Sequence, residues 1–326
     1  MLNQAIQKEI EDRLNKFFQE IEIPESSKGI YKNLQEFVLR PGKRIRPYLV
    51  MTGFRLFSNA DPAPVLDIAA AVELMHSYFL IHDDIMDGDD KRRGKPTFHR
   101  LYKDNQEGLN AAILAGDLLQ AEAYRLIVDS DFPEPVRVKL LKKFNEVIIL
   151  TGHGQWLDLN LGIDASPQDV MDLHMMKTAR YTFEGPLHLG AVCAGAGRLW
   201  RLSHIALPLG LAFQLRDDIL GLYGTSTGKP AGTDLRQGRM NLLVIKTLRK
   251  AQDSEFLKKN FGKNFQAKTL NRIRKIVKDS GSLAYSEGLI STYTGDALTK
   301  IDKLEADQEA KDNLKALAEH LADRKK

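Results

Sequence analysis

Two acidic segments of this chain share one pattern, although they lie far apart in the sequence. Each begins with paired aspartates on an apolar stretch and leads, at the same spacing, to a Gly-Lys-Pro triplet: Asp83-Asp84 to Gly94-Lys95-Pro96, and Asp217-Asp218 to Gly228-Lys229-Pro230. Carboxylates of this kind bind divalent cations, and lysines in a following loop bind anions. The repeat therefore suggests two half-sites that grip one metal-bound polyanion.

The carboxylates of the first segment are predicted to share one face of a helix. Asp87 lies four residues after Asp83 and three after Asp84, and these spacings make neighbours on a helix surface. Bare carboxylates are disfavoured at the negative end of a helix dipole, so a bound cation is implied. Mg²⁺ is favoured, because it accepts a few carboxylates together with substrate phosphates. Zn²⁺ would need a Cys/His cluster, and Ile85 breaks the spacing of an EF-hand Ca²⁺ loop.

Basic residues accompany these acids. Arg92 and Arg93 follow the first cluster, and Lys43, Arg44 and Arg46 lie in a Pro/Gly turn just before a predicted helix. Arginine makes bidentate contacts with phosphate oxygens, and helix starts favour anions. A basic cluster on its own is more often a solvated loop. These clusters therefore predict a phosphate site only in combination with the acidic motifs.

The elements that must position these residues are helices. Apolar residues recur at three- and four-residue spacings almost throughout, and alternating strand patterns are nearly absent, which predicts an all-α fold. Stretches 65–87 and 202–222 are apolar on nearly all sides and are predicted to be central helices that end near the aspartate pairs. Ser166-Pro167-Gln168-Asp169 predicts a capped helix start.

Composition limits the class of protein. The chain has 326 residues, 43% of them hydrophobic, and its 47 basic and 43 acidic residues are too closely balanced to indicate nucleic-acid binding. We expect a single domain over 1–326, with an N-terminal amphipathic helix in 1–25 and outer C-terminal helices in 253–326. One cysteine, no secretory signal and apolar stretches that fall short of a membrane span predict a soluble, cytoplasmic protein.

Taken together, the motifs resemble the trans-isoprenyl (polyprenyl) diphosphate synthase family from about residue 40 to residue 246. The strings that carry the resemblance are Gly42-Lys43-Arg44-Ile45-Arg46-Pro47, Glu73-Leu74-Met75-His76, His82-Asp83-Asp84 through Asp87 to Arg92-Arg93-Gly94-Lys95-Pro96-Thr97, Gly116-Asp117, Gly154-Gln155 with Asp158, Lys177-Thr178, Phe213-Gln214 with Asp217-Asp218, and Gly228-Lys229-Pro230 with Asp234. The resemblance implies an all-α helical bundle around a deep central apolar cavity, usually as a homodimer.

The resemblance also implies a reaction and a role for each matching residue. Mg²⁺, expected as three ions per site, would bind an allylic diphosphate (dimethylallyl or geranyl), and isopentenyl diphosphate would attack the carbocation left by ionisation. The expected metal ligands are Asp83, Asp84, Asp87, Asp217 and Asp218. The expected contacts to the allylic diphosphate are Arg92, Lys177, Gln214, Lys229 and Arg239, and the residues expected to steady the developing cation are Lys177, Thr178 and Gln214. The expected isopentenyl diphosphate site is Lys43, Arg46, His76 and Arg93.

The chain departs from the family pattern in the second half-site. Gly221 stands where many members have a third aspartate, and Arg239 and Asn241 stand where Lys and Thr are more usual. Because Asp217 lacks that partner four residues on, we expect the first half-site to carry more of the metal and phosphate load.

Two aromatic residues bear on product length. Phe79 lies one helical turn before Asp83 on the same side, whereas Tyr78 points about a third of a turn away. Large residues at these positions resemble farnesyl (C15) synthases, so C15 is the predicted product, with geranylgeranyl (C20) as the alternative. Rival hypotheses are a class I terpene cyclase, which the Asp217-Asp218 pair argues against, a non-catalytic subunit of a prenyl synthase, and a metal-binding structural protein.

Overall fold

The chain folds almost entirely into helices, as predicted. A computed structural model describes residues 3–224, 230–250 and 252–324. The helices are α1 (Gln4–Glu20), α2 (Lys28–Val38), α3 (Ile45–Arg55), α4 (Ala63–Asp87), α5 (Asn105–Val128), α6 (Glu134–Asn160), α7 (Pro167–His174), a π-helix (Met175–Glu184), α8 (Gly185–Cys193), α9 (Trp200–Tyr223), α10 (Thr233–Gln237), α11 (Leu242–Lys250), α12 (Ser254–Asn260), α13 (Ala267–Asp279), α14 (Ser282–Asp302) and α15 (Gln308–Ala322). Strands β1 (Lys91–Arg92) and β2 (Lys95–Pro96) form one antiparallel hairpin.

The chain divides into two compact units. The first comprises Leu2–Phe144 and Pro186–Gly197, and its long helix α4 packs along α5 and against α3. The second comprises Asn145–Gly185 and Arg198–Lys326, where α9 packs against the π-helix and α14. Each unit thus contains one of the two helices that the sequence predicts to be central, and that helix carries an aspartate pair in its last two turns.

Helix α4 is longer and more apolar than we expected. By length and mean hydropathy it reaches the range of a membrane span, although its sequence contains Asp67 and Glu73. Most of its apolar window, 61%, is buried inside the protein. This burial is typical of a core helix, whose apolar faces are covered by neighbouring helices rather than by lipid.

Local capping explains where several helices begin. Ser166 caps α7, and the reciprocal bonds between Ser166 and Asp169 form the predicted capping box. At the N-terminus, the side chain of Asn3 caps α1, which buries one apolar face that includes Leu14 and Phe17. The amphipathic helix predicted in this segment therefore runs from Gln4 to Glu20.

Candidate functional site

The first aspartate cluster lies at the C-terminal end of α4. Asp84 is fully buried, whereas Asp83 and Asp87 are partly exposed. The Asp84 carboxylate accepts hydrogen bonds from the Arg92 Nε at 2.8 and 2.9 Å, and the Arg92 Nη2 lies 2.6 Å from it. Burial alone would lower the pKa of Arg92, but the bonds and charge of Asp84 raise it, so the guanidinium keeps its charge. The structure thus joins a predicted metal ligand to a predicted diphosphate contact.

The hairpin after α4 presents the arginine pair. Arg93 and Gly94 form its two-residue turn, and both have positive φ, 52° and 78°. A left-handed conformation is uncommon for a residue with a side chain, and it is stabilised here by tertiary contacts. The Arg93 guanidinium donates to the carbonyl of Pro41 at 3.0 Å. A Cβ at position 42 would lie 2.6 Å from that guanidinium, so a side chain there would displace Arg93 from its present position.

Several basic side chains of the first unit surround one small recess. Its volume is about 270 Å³ including the open mouth. The polar residues that define this arginine recess are Arg40, Arg44, Arg92, Arg93, His76, Glu73 and Ser77. Within it, the Arg44 guanidinium forms a buried ion pair with Glu73, which holds α3 to α4. The net charge of the recess is positive.

His76 lies in the arginine recess, two turns before Asp83. Arg46 Nη1 lies 3.3 Å from His76 Nε2. Burial, aided by the charges of Arg46, Arg93, Arg92 and Arg44, lowers the pKa of His76 well below its ordinary value. The ring is therefore neutral and can accept a hydrogen bond. Lys43, by contrast, has an exposed side chain, and its carbonyl accepts from Gln7.

The two aromatic residues of α4 stack on each other but differ in exposure. Tyr78 is buried toward α5, where burial, then the charges of Tyr124 and Asp117, raise its pKa to about 12. Phe79 is only partly buried and stacks on Tyr78, with ring centroids 4.3 Å apart. Of the two, Phe79 is therefore the side chain that remains accessible beside Asp83.

In the second unit, three predicted residues form one chain of hydrogen bonds. The Thr178 hydroxyl donates to Gln214 Oε1 at 2.6 Å, and Gln214 Nε2 donates to Asp218 Oδ1 at 2.8 Å. The two contacts fix the orientation of the amide, because its oxygen accepts and its nitrogen donates. A residue predicted to steady the cation is thus linked directly to a predicted metal ligand.

Asp218 is nearly inaccessible, and its second oxygen lacks a hydrogen bond. Oδ2 is buried without a hydrogen-bond partner, although His174 Nε2 lies 3.3 Å away. Burial raises the pKa of Asp218 well above its ordinary value, and neighbouring carboxylates including Asp217 raise it further. The hydrogen bond from Gln214 acts in the opposite direction but is the weaker effect. Burial also lowers the pKa of His174 to about 4, so its ring is neutral. A buried oxygen in this state is suited to a cation.

The carboxylate of Asp217 already has a cationic neighbour. Arg324 Nη1 donates to Asp217 Oδ1 at 3.1 Å, and its guanidinium lies 5.5 Å from the centre of the Phe213 ring. Arg324 lies beyond the last helix and was not predicted as a site residue, because a single terminal arginine has no distinguishing pattern in the sequence.

Asp158 joins two of the predicted cationic residues. Its carboxylate accepts from Lys177 Nζ at 2.7 Å, and Arg239 Nη1 lies 3.7 Å from the same oxygen and donates to the Asp158 carbonyl at 3.0 Å. Gly154, one turn earlier on α6, faces the backbone of Lys177 so closely that an added Cβ would lie 2.6 Å from its nitrogen. The sequence matched Asp158 to the family pattern but gave it no role.

Two further sequence expectations concern residues that follow α9 in the chain. Lys229, with Gly228, lies outside the described residues. Asn241, one of the departures, accepts from the backbone N–H of Val244 at 3.0 Å and so caps the start of α11. Threonine is also a capping residue, which explains why either type can serve at this position.

The donor set fits Mg²⁺. Aspartate oxygens are hard ligands, and the buried Asp218 Oδ2 without a hydrogen bond is the kind of atom that a cation satisfies. Among residues 3–224, 230–250 and 252–324, no three His, Cys, Asp or Glu side chains converge closely enough to hold an ion alone. Mg²⁺ usually keeps several waters and takes substrate phosphates as further ligands, so a few aspartates are enough to hold it.

Comparison with known proteins finds a matching family and similar sequences. The sequence pattern of the family described as polyprenyl synthetase matches residues 27–279. The chain is 35% identical to a geranylfarnesyl diphosphate synthase of Aeropyrum pernix, over 87% of this chain and 91% of that protein. It is 36% identical to a geranylgeranyl diphosphate synthase of Sulfolobus acidocaldarius, over 87% and 88% of the two chains.

A solved structure extends the similarity to the fold. The geranylgeranyl pyrophosphate synthase of Corynebacterium glutamicum, complexed with isoprenyl diphosphate and magnesium, superposes with a TM-score of 0.92 at 31% identity. The similarity covers 99% of each chain. The chain therefore belongs to the polyprenyl synthetase family and is a prenyltransferase of the trans-isoprenyl diphosphate synthase type.

Proposed function

We propose that this enzyme condenses isopentenyl diphosphate with an allylic diphosphate in a Mg²⁺-dependent head-to-tail reaction. The observation that carries the proposal is the chain of hydrogen bonds from Thr178 through Gln214 to Asp218, beside Lys177 on the same π-helix. This hydrogen-bonded chain links Thr178 and Gln214, which would stabilise the developing carbocation, to the Asp218 carboxylate, which would bind the metal.

Each half-site has a part in the proposed reaction. When bound, Mg²⁺ would neutralise the departing diphosphate, with Asp83, Asp84, Asp87, Asp217 and Asp218 as the residues that hold it. Arg92 and Lys177 would add fixed positive charge at the allylic diphosphate, together with Arg239 and Lys229. Both Arg92 and Lys177 are held by carboxylates, Asp84 and Asp158, so they are oriented before substrate binds.

The arginine recess is the proposed isopentenyl diphosphate site. Its positive charge suits a diphosphate, and Arg93 is fixed by the carbonyl of Pro41. His76 is neutral and held beside Arg46, so it would bind as an uncharged hydrogen-bonding partner. Lys43, whose side chain is exposed, would approach the diphosphate from the rim.

For the product we propose geranylgeranyl diphosphate, C20, in place of the C15 expected from Tyr78 and Phe79. Most of the similar proteins with a named product are named for C20 or C25 products, and one of them is a farnesyl diphosphate synthase. Tyr78 is buried toward α5 and Phe79 stacks on it, so Phe79 is the more accessible ring and the proposed limit to chain growth.

Phe79→Ala should lengthen the product by at least one isoprene unit. The substitution removes a partly buried ring beside Asp83, so a growing chain would meet less resistance there. The measurement is chromatography of the dephosphorylated products. Tyr124→Phe, which changes another aromatic residue near Tyr78, is the control and should keep the wild-type product. An unchanged product from active Phe79→Ala would show that Phe79 does not limit chain growth.

Product analysis of the purified chain tests the proposed function. It should consume isopentenyl diphosphate with geranyl or farnesyl diphosphate in the presence of Mg²⁺ and release mainly C20. Cyclised hydrocarbon without consumption of isopentenyl diphosphate would identify a terpene cyclase instead. No turnover by the isolated, folded chain would identify a non-catalytic subunit, and products of C30 or longer would contradict the short-chain assignment.

We also propose a cytoplasmic homodimer. Helix α5 exposes the apolar side chains of Ile113 and Leu114, 48% and 58% accessible, which a partner chain packed on this face would bury. The single Cys193 agrees with a reducing compartment.

A further inference from the structure

A strongly basic stretch of the second unit has no part in the proposed site apart from its position in the chain. Residues 246–278 contain eleven lysines and arginines but only two acidic residues, Asp253 and Glu255. The whole chain carries a net charge of only +4, so positive charge is concentrated in this stretch and the remainder is acidic overall. Nine of the eleven basic side chains are exposed. Such a concentration of one charge is a candidate interaction surface.

Helix α13 separates its apolar residues from its basic ones. Leu270 and Ile273 are buried in the core of the unit. Lys268, Arg272 and Lys275 follow one another at spacings of four and three residues, which place them on one side of the helix, and all three are exposed. Like charges at these spacings slightly destabilise a helix. The stability of the fold therefore does not account for this row of positive charge.

Helix α12 extends this row. The Arg272 guanidinium lies over the Phe256 ring, 3.9 Å from its centre, and so joins α13 to α12. Lys259 follows Phe256 by three residues, is exposed and lies on the same side of α12. The four residues that adjoin in this way form what we call the basic face: Lys259, Lys268, Arg272 and Lys275. Its lysines make no ion pair with any residue in 3–224, 230–250 and 252–324, and Arg272 lies 4.0 Å from Asp253.

An exposed aromatic ring lies among other lysines of the same stretch. Tyr285 of α14 is 40% accessible, and the Nζ atoms of Lys246 and Lys250 lie 3.9 and 6.0 Å from the centre of its ring. Tyrosine is typical of membrane interfaces, because its ring can lie among lipid headgroups while its hydroxyl stays hydrated. Lysine suits the diffuse negative charge of a lipid surface, whereas bidentate recognition of nucleic acid favours arginine. These residue types favour an anionic membrane over a nucleic acid as the partner.

We propose that the basic face docks this protein reversibly on the surface of an anionic phospholipid membrane. Each lysine that comes within a Debye length of such a surface adds to the attraction, and a cluster of this size is enough for reversible binding. None of the residues of the basic face belongs to the proposed diphosphate or metal sites. Docking is therefore a property beyond the proposed function, and the two can be tested separately.

The test is co-sedimentation of the full chain with phosphatidylcholine vesicles that contain about one third phosphatidylserine. The wild type should bind these vesicles and should not bind vesicles of phosphatidylcholine alone. Raising the salt from about 0.05 M to about 0.5 M should release most of the protein, because salt screens exposed charges.

Two variants with the same loss of charge locate the binding surface. Lys259→Gln, Lys268→Gln and Lys275→Gln together should weaken vesicle binding about 100-fold. The control combines Lys32→Gln, Lys103→Gln and Lys139→Gln, which change exposed lysines of the first unit, and should bind as the wild type does. Thermal melting checks that both variants are folded. Lys275→Gln alone should bind about fivefold more weakly and provides the test if the triple variant does not fold.

Three results would overturn membrane docking by the basic face. One is a wild type that does not bind the anionic vesicles at low salt. Another is an equal loss of binding in the two triple variants, which would mean that only the net charge of the protein matters. The third is a wild type that binds a short DNA duplex of mixed sequence but not the vesicles, which would identify a nucleic-acid surface instead. None of these results depends on turnover, so the proposed function can hold while docking fails.

Discussion

Asp83→Ala is expected to reduce Mg²⁺-dependent condensation at least about 10³-fold, the largest effect on activity that we predict. Asp83 is partly exposed at the end of α4 and lies beside the Asp84–Arg92 pair. Its carboxylate is thus partly accessible to a metal ion from solvent, whereas the Asp84 carboxylate is buried in an ion pair with a guanidinium. Loss of a metal ligand removes charge stabilisation of the leaving diphosphate, which is worth several kcal/mol.

Steady-state rates with isopentenyl and allylic diphosphates measure this effect. Asp131→Ala, an exposed aspartate of the same unit, should retain wild-type rates and serves as the control. The first half-site also contains Asp87 and the arginine pair, so Asp83→Ala should be at least as damaging as Asp218→Ala. The reverse order would argue that the second motif carries the main metal load.

Asp218→Asn should have opposite effects on activity and stability. The variant should lose at least about 10²-fold in activity, because Asn is neutral and binds a hard cation poorly. Without added Mg²⁺ it should melt about 2–4 °C higher than the wild type, which corresponds to roughly 1 kcal/mol. The physical reason is that the wild-type chain buries a carboxylate whose Oδ2 accepts no hydrogen bond.

Thermal melting with and without Mg²⁺ and pyrophosphate separates the two effects. The wild type should gain stability from these ligands by mass action, and Asp218→Asn should gain much less. Asp164→Asn, which changes an exposed aspartate of the same unit, should behave as the wild type in both conditions. A variant that melts lower than the wild type without Mg²⁺ would indicate that the ionised Asp218 stabilises the fold through its neighbours Gln214 and His174.

The sequence predicted the helical class and the two central helices because their signals are local or periodic. The capping box at Ser166 and the apolar faces of α4 and α9 depend on residues a few positions apart. Some of the predicted site residues contact each other within a unit, such as Thr178 and Gln214. The roles of these residues in binding remain predictions.

The unpredicted features depend on contacts between distant parts of the chain. Nothing in the paired-aspartate pattern indicates that His174 lies behind Asp218, or that Asp158 holds both Lys177 and Arg239. The ion pair between Arg92 and Asp84 is also a tertiary contact, because it requires the hairpin to fold back on α4. Product length was predicted as C15 from Tyr78 and Phe79 together, but the sequence did not show that Tyr78 is buried against α5 while Phe79, stacked on it, stays partly exposed.

The π-helix makes the length of one segment matter as much as its residues. Met175–Glu184 winds more widely than an α-helix, and long runs of this form are rare. Gly154 of α6 lies against the Lys177 backbone, and Gly210 of α9 lies against Ala179. Both helices therefore pack closely against the wide turns of the π-helix. Deleting one residue here would let the segment rewind as an α-helix and rotate Lys177 away from Asp158 and Thr178 away from Gln214. Homologues of this protein should therefore tolerate substitutions in this segment far more readily than insertions or deletions.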